Sequence, residues 1–182
     1  MAELEIRPAV IEDVPAIALV LSQAAVHKEA QGDFLWGSDP FTEGKVARKL
    51  ETGNLYTVTE GDIVVGTVTL TETDERVWED DGTDTESAIY IHSLATSDEV
   101  RGGGVGERVI DWVVGKAQQE RREAVRLDCS YTNPRLCGYY AKRGFEEVRR
   151  RDISRKSTAR DLRDPVYQVA LMQRDVSSTQ LA

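Results

Sequence analysis

A glycine-rich segment between a strand pattern and a helix pattern is the feature that most restricts the fold. The run Arg101-Gly-Gly-Gly-Val-Gly106 follows the β-rich segment 88–96 and precedes an amphipathic pattern from Gly104 to about Glu120. A second β-rich segment, 124–129, comes next. Strand, helix and strand in this order predict two parallel neighbouring strands joined by a crossover. The unpaired amides of the first helical turn favour binding of an anion such as a pyrophosphate.

Two common phosphate-binding patterns do not match this loop. No Lys-Ser or Lys-Thr pair follows Gly106, as the lysine-terminated P-loop requires. The dinucleotide pattern G-x-G-x-x-G fails in both frames, because Glu107 or Val109 stands where the last glycine belongs. The loop therefore predicts an anion site of another kind, and a plain glycine-rich turn is the alternative interpretation.

Hydrophobic periodicity along the rest of the chain predicts a mixed, twisted sheet of about seven strands with about four helices, in the α/β (α+β) class. The predicted strands are 3–9, 55–60, 63–71, 88–96, 124–129, 145–152 and 166–172, and the predicted helices are 13–30, 42–52, 104–120 and 133–142. Gly61-Asp62 predicts a hairpin turn between the second and third strands. We expect one domain over 1–182, with its core in 3–172 and a polar tail at 173–182.

Composition argues against several classes of protein. The chain has 182 residues and a net charge of −9, which argues against a nucleic-acid partner. No apolar run approaches the length of about 18 residues that spans a membrane, and the first residues resemble no export signal. Two cysteines, Cys129 and Cys137, are too few for a disulfide framework, and a zinc site would also need His27 and His92. We expect a cytoplasmic protein with no metal and no membrane partner.

Two segments carry a family resemblance. The run Arg101-x-x-Gly104-x-Gly106 matches R/Q-x-x-G-x-G/A, and Asn133 followed by Tyr140 and Gly144-Phe145 matches N…Y-x-x-x-G-F. Both patterns resemble those of the GNAT superfamily of acyl-CoA-dependent N-acetyltransferases, and the likeness extends over about 3–172. The resemblance implies the GNAT fold, in which the fourth and fifth strands splay apart and acetyl-CoA lies between them.

The resemblance also implies which residues contact acetyl-CoA. The pyrophosphate would rest on the amides from Gly102 to Gly106, while the pantetheine arm would pair with the strand near Leu94 and Thr96. Asn133 would reach the same arm from the opposite wall. The implied binding residues are Leu94, Ala95, Thr96, Arg101, Gly102, Gly103, Gly104, Val105, Gly106 and Asn133.

Acetyl transfer to an amine needs an acid for the leaving thiolate and a base for the amine. The resemblance implies Tyr140 as the acid, since a phenol with a pKa of about 10 stays protonated at neutral pH. Tyr139 is a second candidate for this role. The alternative interpretation of Tyr140 is an aromatic residue of the core. His92 matches the base of serotonin-type (arylalkylamine) N-acetyltransferases. A strand histidine held by a hydrogen bond and a water chain without a dedicated base are the alternatives. Ala88 stands where other members have a glutamate, and Glu86 is the nearest substitute.

Two further expectations concern the transferred group. The resemblance implies an oxyanion donor in a backbone amide near Leu94, at a bulge in the fourth strand. Cys129 has no histidine or basic partner beside it in sequence, so we do not expect a cysteine nucleophile, and Cys137 is predicted to pack within a helix.

Aromatic residues in polar loops indicate the acceptor end. Trp36 and Trp78 are predicted to hold the apolar body or the cation of an amine, with attraction from Asp80, Asp81 and Asp84. A solvated loop with one anchoring tryptophan is the alternative.

The expected function is transfer of an acetyl group from acetyl-CoA to a primary amine of a small molecule or peptide, by direct attack in a ternary complex. As in many GNAT members, a homodimer is the expected assembly. A catalytically silent CoA-binding module and a toxin-like enzyme that acetylates aminoacyl-tRNA are the alternative functions.

Overall fold

A seven-stranded sheet with four helices forms the part of the chain that the computed structural model describes, residues 3–37, 41–74, 76–78, 87–154 and 166–176. The strands are β1 (Leu4–Pro8), β2 (Leu55–Glu60), β3 (Ile63–Thr71), β4 (Ala88–Thr96), β5 (Ala124–Ser130), β6 (Glu146–Ser154) and β7 (Val166–Asp175). The helices are α1 (Val14–Ala30), α2 (Glu43–Leu50), α3 (Val105–Gln119) and α4 (Pro134–Ala141). The strand order is β1-β2-β3-β4-β5-β7-β6, which confirms the predicted mixed α/β class.

Local sequence signals account for several element boundaries. Thr42 caps α2, because its Oγ1 accepts a hydrogen bond from the Lys45 amide at 3.3 Å. Pro15 lies in the first turn of α1, where a missing N–H costs nothing. Gly61 turns the β2–β3 hairpin with a φ of 59°, a left-handed conformation that favours glycine.

The sheet opens between β4 and β5. These strands are parallel, as the crossover through α3 requires, but they pair only over Ala88–Ile91 and Ala124–Leu127. Beyond that point β4 continues against β3 alone, while Asp128–Ser130 continue against β7 alone. The predicted splay is therefore confirmed, and no strand of the described residues pairs with the freed edge of β4.

A bulge bends β4 where this opening begins. The β3–β4 register shifts between Thr67, which pairs with Ala95, and Thr69, which pairs with His92. Ser93 lies within the bulge and has a φ of 50°, which is rare for a residue other than glycine. The bulge changes the direction of the backbone immediately after His92.

The helices bury the two faces of the sheet. Ile89 and Ile91 of β4 pack in one cluster with α3 residues such as Val109, while Tyr90 faces the opposite side in a separate cluster. A third cluster joins α1 and α2 to β2 and to Ala95 at the end of β4. Helix α3 therefore packs on the face of β4 that carries Ile89 and Ile91. Its N-terminus lies at the opening between β4 and β5.

The last strand is longer than predicted. Gln173–Asp175 continue β7 against Ala124–Arg126, although the sequence analysis assigned them to a polar tail. Their polar side chains find partners on the sheet, since Gln173 accepts a hydrogen bond from Arg126 Nε at 2.8 Å. In the described portion, none of the helices is both long and apolar enough to cross a bilayer.

Candidate active site

A single cavity of about 720 Å³ brings together most of the predicted site residues. It extends from the loop before α3, through the opening between β4 and β5, to the loop after α1. The predicted residues that line it are Trp36, His92, Leu94, Ala95, Thr96, Arg101, Gly102, Gly104, Val105, Gly106, Asn133 and Tyr140. Gly103 and Trp78 do not line it.

Backbone amides without acceptors form one end of the cavity. Among the described residues, none accepts a hydrogen bond from the N–H groups of Gly102, Gly104 or Val105–Glu107. Gly102 and Gly104 have φ values of 79° and 84°, and Gly104 is the N-cap of α3. This geometry aims several N–H dipoles and the positive helix end at one volume, which suits an anion.

Two residues of this loop depart from the expected arrangement. The Gly103 amide is not available to a ligand, because it donates to the Val100 carbonyl at 3.0 Å. Arg101 lines the cavity, and its guanidinium forms an ion pair with Asp98. Its positive charge is therefore already partly balanced within the protein.

The two walls of the cavity meet at Gly106 and Tyr139. A Cβ added to Gly106 would lie 2.7 Å from the Tyr139 hydroxyl oxygen, so only glycine fits without movement of that ring. Arg143 stacks on the same ring, with its guanidinium 3.5 Å from the ring centroid. The close approach of α3 and α4 thus depends on Gly106.

Tyr140 of α4 lines the cavity. Its ring is buried and contacts Tyr139 and Phe145 edge-on at centroid distances of 5.3 and 5.8 Å. In the described part of the chain its hydroxyl has no hydrogen-bond partner. Burial raises the pKa of Tyr140, with nearby Cys129 adding to the effect, so the phenol is protonated at neutral pH. A protonated donor without a partner is able to serve a ligand group.

Two free thiols lie beside this ring. Cys129 Sγ and Cys137 Sγ are 3.6 Å apart. Burial raises the pKa of Cys129, so its thiol is protonated and a poor nucleophile. This chemistry agrees with the expectation that no cysteine acts as a nucleophile.

The contacts of His92 define its tautomer. Its Nε2 lies 2.8 Å from Thr71 Oγ1, and that hydroxyl donates its own proton to the Thr73 carbonyl at 2.8 Å. The Thr71 oxygen is therefore an acceptor, Nε2 carries the proton, and Nδ1 keeps the lone pair. Burial lowers the pKa of His92 and Lys49 acts in the same direction, whereas Asp74 opposes them.

Asp74 and Asp128 complete a group with His92 that the sequence analysis missed. One ligand atom from each of the three residues lies within 4.8 Å of the others. Asp74 Oδ1 accepts from the Val77 amide at 3.2 Å, whereas its Oδ2 is buried and has no partner within the described ranges. A group of two carboxylates and one imidazole is able to receive a positively charged ligand, either an ammonium group or a metal ion.

Comparisons with known proteins agree with this geometry. The model of the acetyltransferase (GNAT) family matches residues 23–145. The chain belongs to the GNAT acetyltransferase family.

Individual relatives of this GNAT domain are distant in sequence. It is 29% identical over 147 residues to YesJ of Bacillus subtilis, an uncharacterised N-acetyltransferase, which covers 76% of this chain and 79% of YesJ. A GNAT-family acetyltransferase from Listeria monocytogenes superposes with a TM-score of 0.70 at 21% identity, covering 96% of this chain and 95% of that one. A GNAT phosphinothricin acetyltransferase from Sinorhizobium meliloti, solved with acetyl-CoA, superposes with a TM-score of 0.68 at 19% identity. The match covers 98% of this chain and 93% of that one. These structural likenesses concern the fold.

Asn133 of the GNAT domain lines the cavity and connects two segments of its wall. Its Oδ1 caps α4 by accepting from the Leu136 amide at 3.1 Å, and its Nδ2 donates to Asp33 Oδ2 at 3.2 Å. Asp33 is buried and also accepts from Lys28 Nζ at 2.5 Å. Asn133 therefore connects the loop after α1 to the helix that carries Tyr140. No local sequence pattern marks this contact.

The two predicted tryptophans occupy different environments. Trp36 lines the cavity, half-buried, with Phe41 edge-on at 5.6 Å. Trp78 is instead buried in the core between Tyr90, at 5.9 Å, and the Arg126 guanidinium, at 4.9 Å. The prediction that Trp78 contacts an acceptor is not supported, because apolar packing and a cation–π contact hold its ring away from the cavity.

The remaining acidic candidates lie outside the described residues. These are Asp80, Asp81, Asp84 and Glu86. Ala88, where other family members have a glutamate, is buried and pairs with Ala124 in β5.

Proposed function

We propose that this protein is an N-acetyltransferase that transfers the acetyl group of acetyl-CoA to a primary amine of a small molecule or peptide, by direct attack in a ternary complex. One observation carries the proposal: the loop before α3 and Tyr140 line the same cavity, and neither the loop amides nor the Tyr140 hydroxyl has a hydrogen-bond partner among the described residues. An anion-binding end and a neutral proton donor are what a diphosphate-bearing thioester requires. A solved relative from Salmonella typhimurium described with acetyl-CoA as its cofactor supports the choice of ligand.

The loop before α3 binds the diphosphate of acetyl-CoA in this proposal. The amides of Gly102, Gly104 and Val105–Glu107 donate to its oxygens, and the dipole of α3 favours its charge. The unpaired edge of β4 at Leu94–Thr96 offers backbone groups to the amides of the pantetheine arm, as an added strand would. The thioester then points toward Tyr140.

Three groups act on the reacting atoms. His92 Nδ1 accepts a proton from the amine, whose nitrogen attacks the thioester carbon. A backbone amide at the β4 bulge, near Leu94, donates to the developing oxyanion. Tyr140 donates its proton to the departing sulfur.

The proposal includes a cytoplasmic enzyme, since two cysteines are too few for the disulfide framework of a small secreted domain. We also propose that the protein forms a homodimer. Light scattering coupled to size-exclusion chromatography tests this assembly.

Release of the CoA thiol tests the proposal. With acetyl-CoA and a panel of primary amines, we expect thiol release that depends on the amine, together with an acetylated product seen by mass spectrometry. Calorimetric binding of acetyl-CoA with no turnover on any amine would indicate a silent binding module instead. Retention of tRNA on a filter would favour the aminoacyl-tRNA alternative.

The pH dependence of kcat/KM tests His92 as the base. Burial disfavours imidazolium, so the folded pKa lies below the usual value of about 6.5, and the base is neutral above it. We expect kcat/KM to rise with pH through that lowered pKa and to level off by neutral pH. His92→Gln should lose this acidic limb, whereas His27→Gln, at the other histidine of the chain, should keep it. Persistence of the limb in His92→Gln would contradict the assignment.

A further inference from the structure

We infer that the acceptor is a cationic amine, whose ammonium group binds between the carboxylates of Asp74 and Asp128 beside His92. This inference rests on the proposed function, because it assigns the acceptor end of the same cavity. It names the chemical class of the acceptor and two residues that select it.

The position of the group follows from the splay of the sheet. Ile91 and Leu127 form the last pair between β4 and β5, so His92 and Asp128 are the first residues beyond the point where the strands part. Successive side chains of a strand point to opposite faces, so the residues that follow the two members of a pair share one face of the sheet. His92 and Asp128 are such residues. Asp74 reaches the same place from the loop after β3, and all three residues line the cavity.

An unsatisfied carboxylate oxygen indicates what the group receives. Asp74 Oδ2 is buried and lacks a hydrogen-bond partner in the described part of the chain. A buried anionic oxygen left in this state is costly, and a bound N⁺–H donor would remove the cost. With Asp128 within 4.8 Å, an ammonium group can donate to two carboxylates at once.

Two cations that line the same cavity also contact acceptors outside this group. Lys49 Nζ donates to Ser93 Oγ at 2.7 Å, and Arg76 Nη2 donates to the Ser154 carbonyl at 3.1 Å. Neither contact satisfies Asp74 Oδ2. The aromatic and aliphatic residues Leu35, Trp36 and Phe41 line the same cavity and suit the apolar body of an amine.

The proton transfers of the reaction balance while Asp74 and Asp128 hold the ammonium group. The ammonium gives one proton to His92 Nδ1, so the positive charge moves to the imidazole but stays beside Asp74 and Asp128. The neutral nitrogen attacks, the C–N bond forms, and the C–S bond breaks as Tyr140 protonates the sulfur. The nitrogen then loses a second proton to solvent, and Tyr140 regains a proton from solvent. The imidazolium of His92 releases the proton that it took from the ammonium group. The products are the amide, the CoA thiol and one proton.

Two isomeric amines test the inference. Benzylamine is an ammonium ion at pH 7, whereas para-toluidine is neutral. We expect Asp74→Asn, which keeps an oxygen for the Val77 amide, to lower kcat/KM for benzylamine about tenfold or more and for para-toluidine less than about twofold. Asp128→Asn serves as an independent second variant. Asp62→Asn, an equal charge change in the exposed β2–β3 turn, should change neither value.

Calorimetry with and without CoA separates this inference from the proposed function. We expect wild-type protein to bind benzylamine more tightly than para-toluidine, and Asp74→Asn or Asp128→Asn to abolish the preference. If binding follows this pattern and no amine is acetylated, the proposed function fails and the cation site stands. Equal losses for both amines, or no loss for benzylamine, would overturn the inference. Loss of Zn²⁺ binding in the variants without an effect on benzylamine would overturn it in favour of a metal site.

Discussion

Replacement of Tyr140 by phenylalanine is expected to lower kcat by about two to four orders of magnitude and to leave the Kd for acetyl-CoA within about twofold. The phenol is buried and neutral, and none of the described residues hydrogen-bonds to it, so its removal leaves no group of theirs unsatisfied. The ring contacts with Tyr139 and Phe145 persist in the variant. Steady-state thiol release gives kcat, and calorimetry gives the Kd.

Tyr139→Phe is the matched control for this experiment. The neighbouring hydroxyl faces Gly106 at the junction of α3 and α4, so its loss should affect acetyl-CoA binding more than kcat. A larger fall in kcat in Tyr139→Phe than in Tyr140→Phe would assign the acid to the other tyrosine. Nearly equal small effects would indicate that the sulfur leaves without a tyrosine donor.

Replacement of Gly104 by alanine is expected to raise the Kd for acetyl-CoA about tenfold or more. Gly104 has a φ of 84°, and a left-handed residue with a Cβ costs roughly 1–2 kcal/mol, so the free loop would relax away from the geometry that aligns its amides. Binding must then restore that geometry, and each 1.4 kcal/mol corresponds to about a tenfold change in Kd. Calorimetry on the folded variant measures this change.

Gly115→Ala is the control, because it makes the same substitution inside α3, the helix that Gly104 caps. Gly115 lies inside α3 with open space around its Cβ position, and alanine there should raise the free energy of unfolding by up to about 1 kcal/mol. Its Kd for acetyl-CoA should match the wild type. An unchanged Kd in Gly104→Ala would contradict the role of the loop as the diphosphate site.

Local patterns predicted the framework of the site well. Runs rich in strand-forming residues placed β3 and β4 at Ile63–Thr71 and Ala88–Thr96, the bounds that the structure has. The run of glycines identified the N-terminus of α3, because a positive φ and bare amides are properties of a short segment. Turn and cap signals such as Thr42 act over three or four residues and are equally readable.

Contacts between distant segments could not be read in this way. Asn133 and Asp33 are 100 residues apart, and no pattern around Asp33 indicates that it would meet Asn133. Asp74 stood among many acids, and only the fold shows that it meets Asp128 and His92. Trp78 misled the prediction because a tryptophan in a polar segment can as easily insert into the core as line a pocket.

The buried carboxylate of Asp33 links two parts of the site that sequence keeps far apart. It joins the loop that carries Trp36 to Asn133, the residue that starts the helix bearing Tyr140. Under the proposed mechanism, an acceptor bulky enough to push this loop outward would strain the Asp33–Asn133 hydrogen bond, so we expect acceptor size and the position of Tyr140 to be coupled. Exchanging the loop to admit larger amines would therefore slow turnover unless an aspartate is kept at position 33.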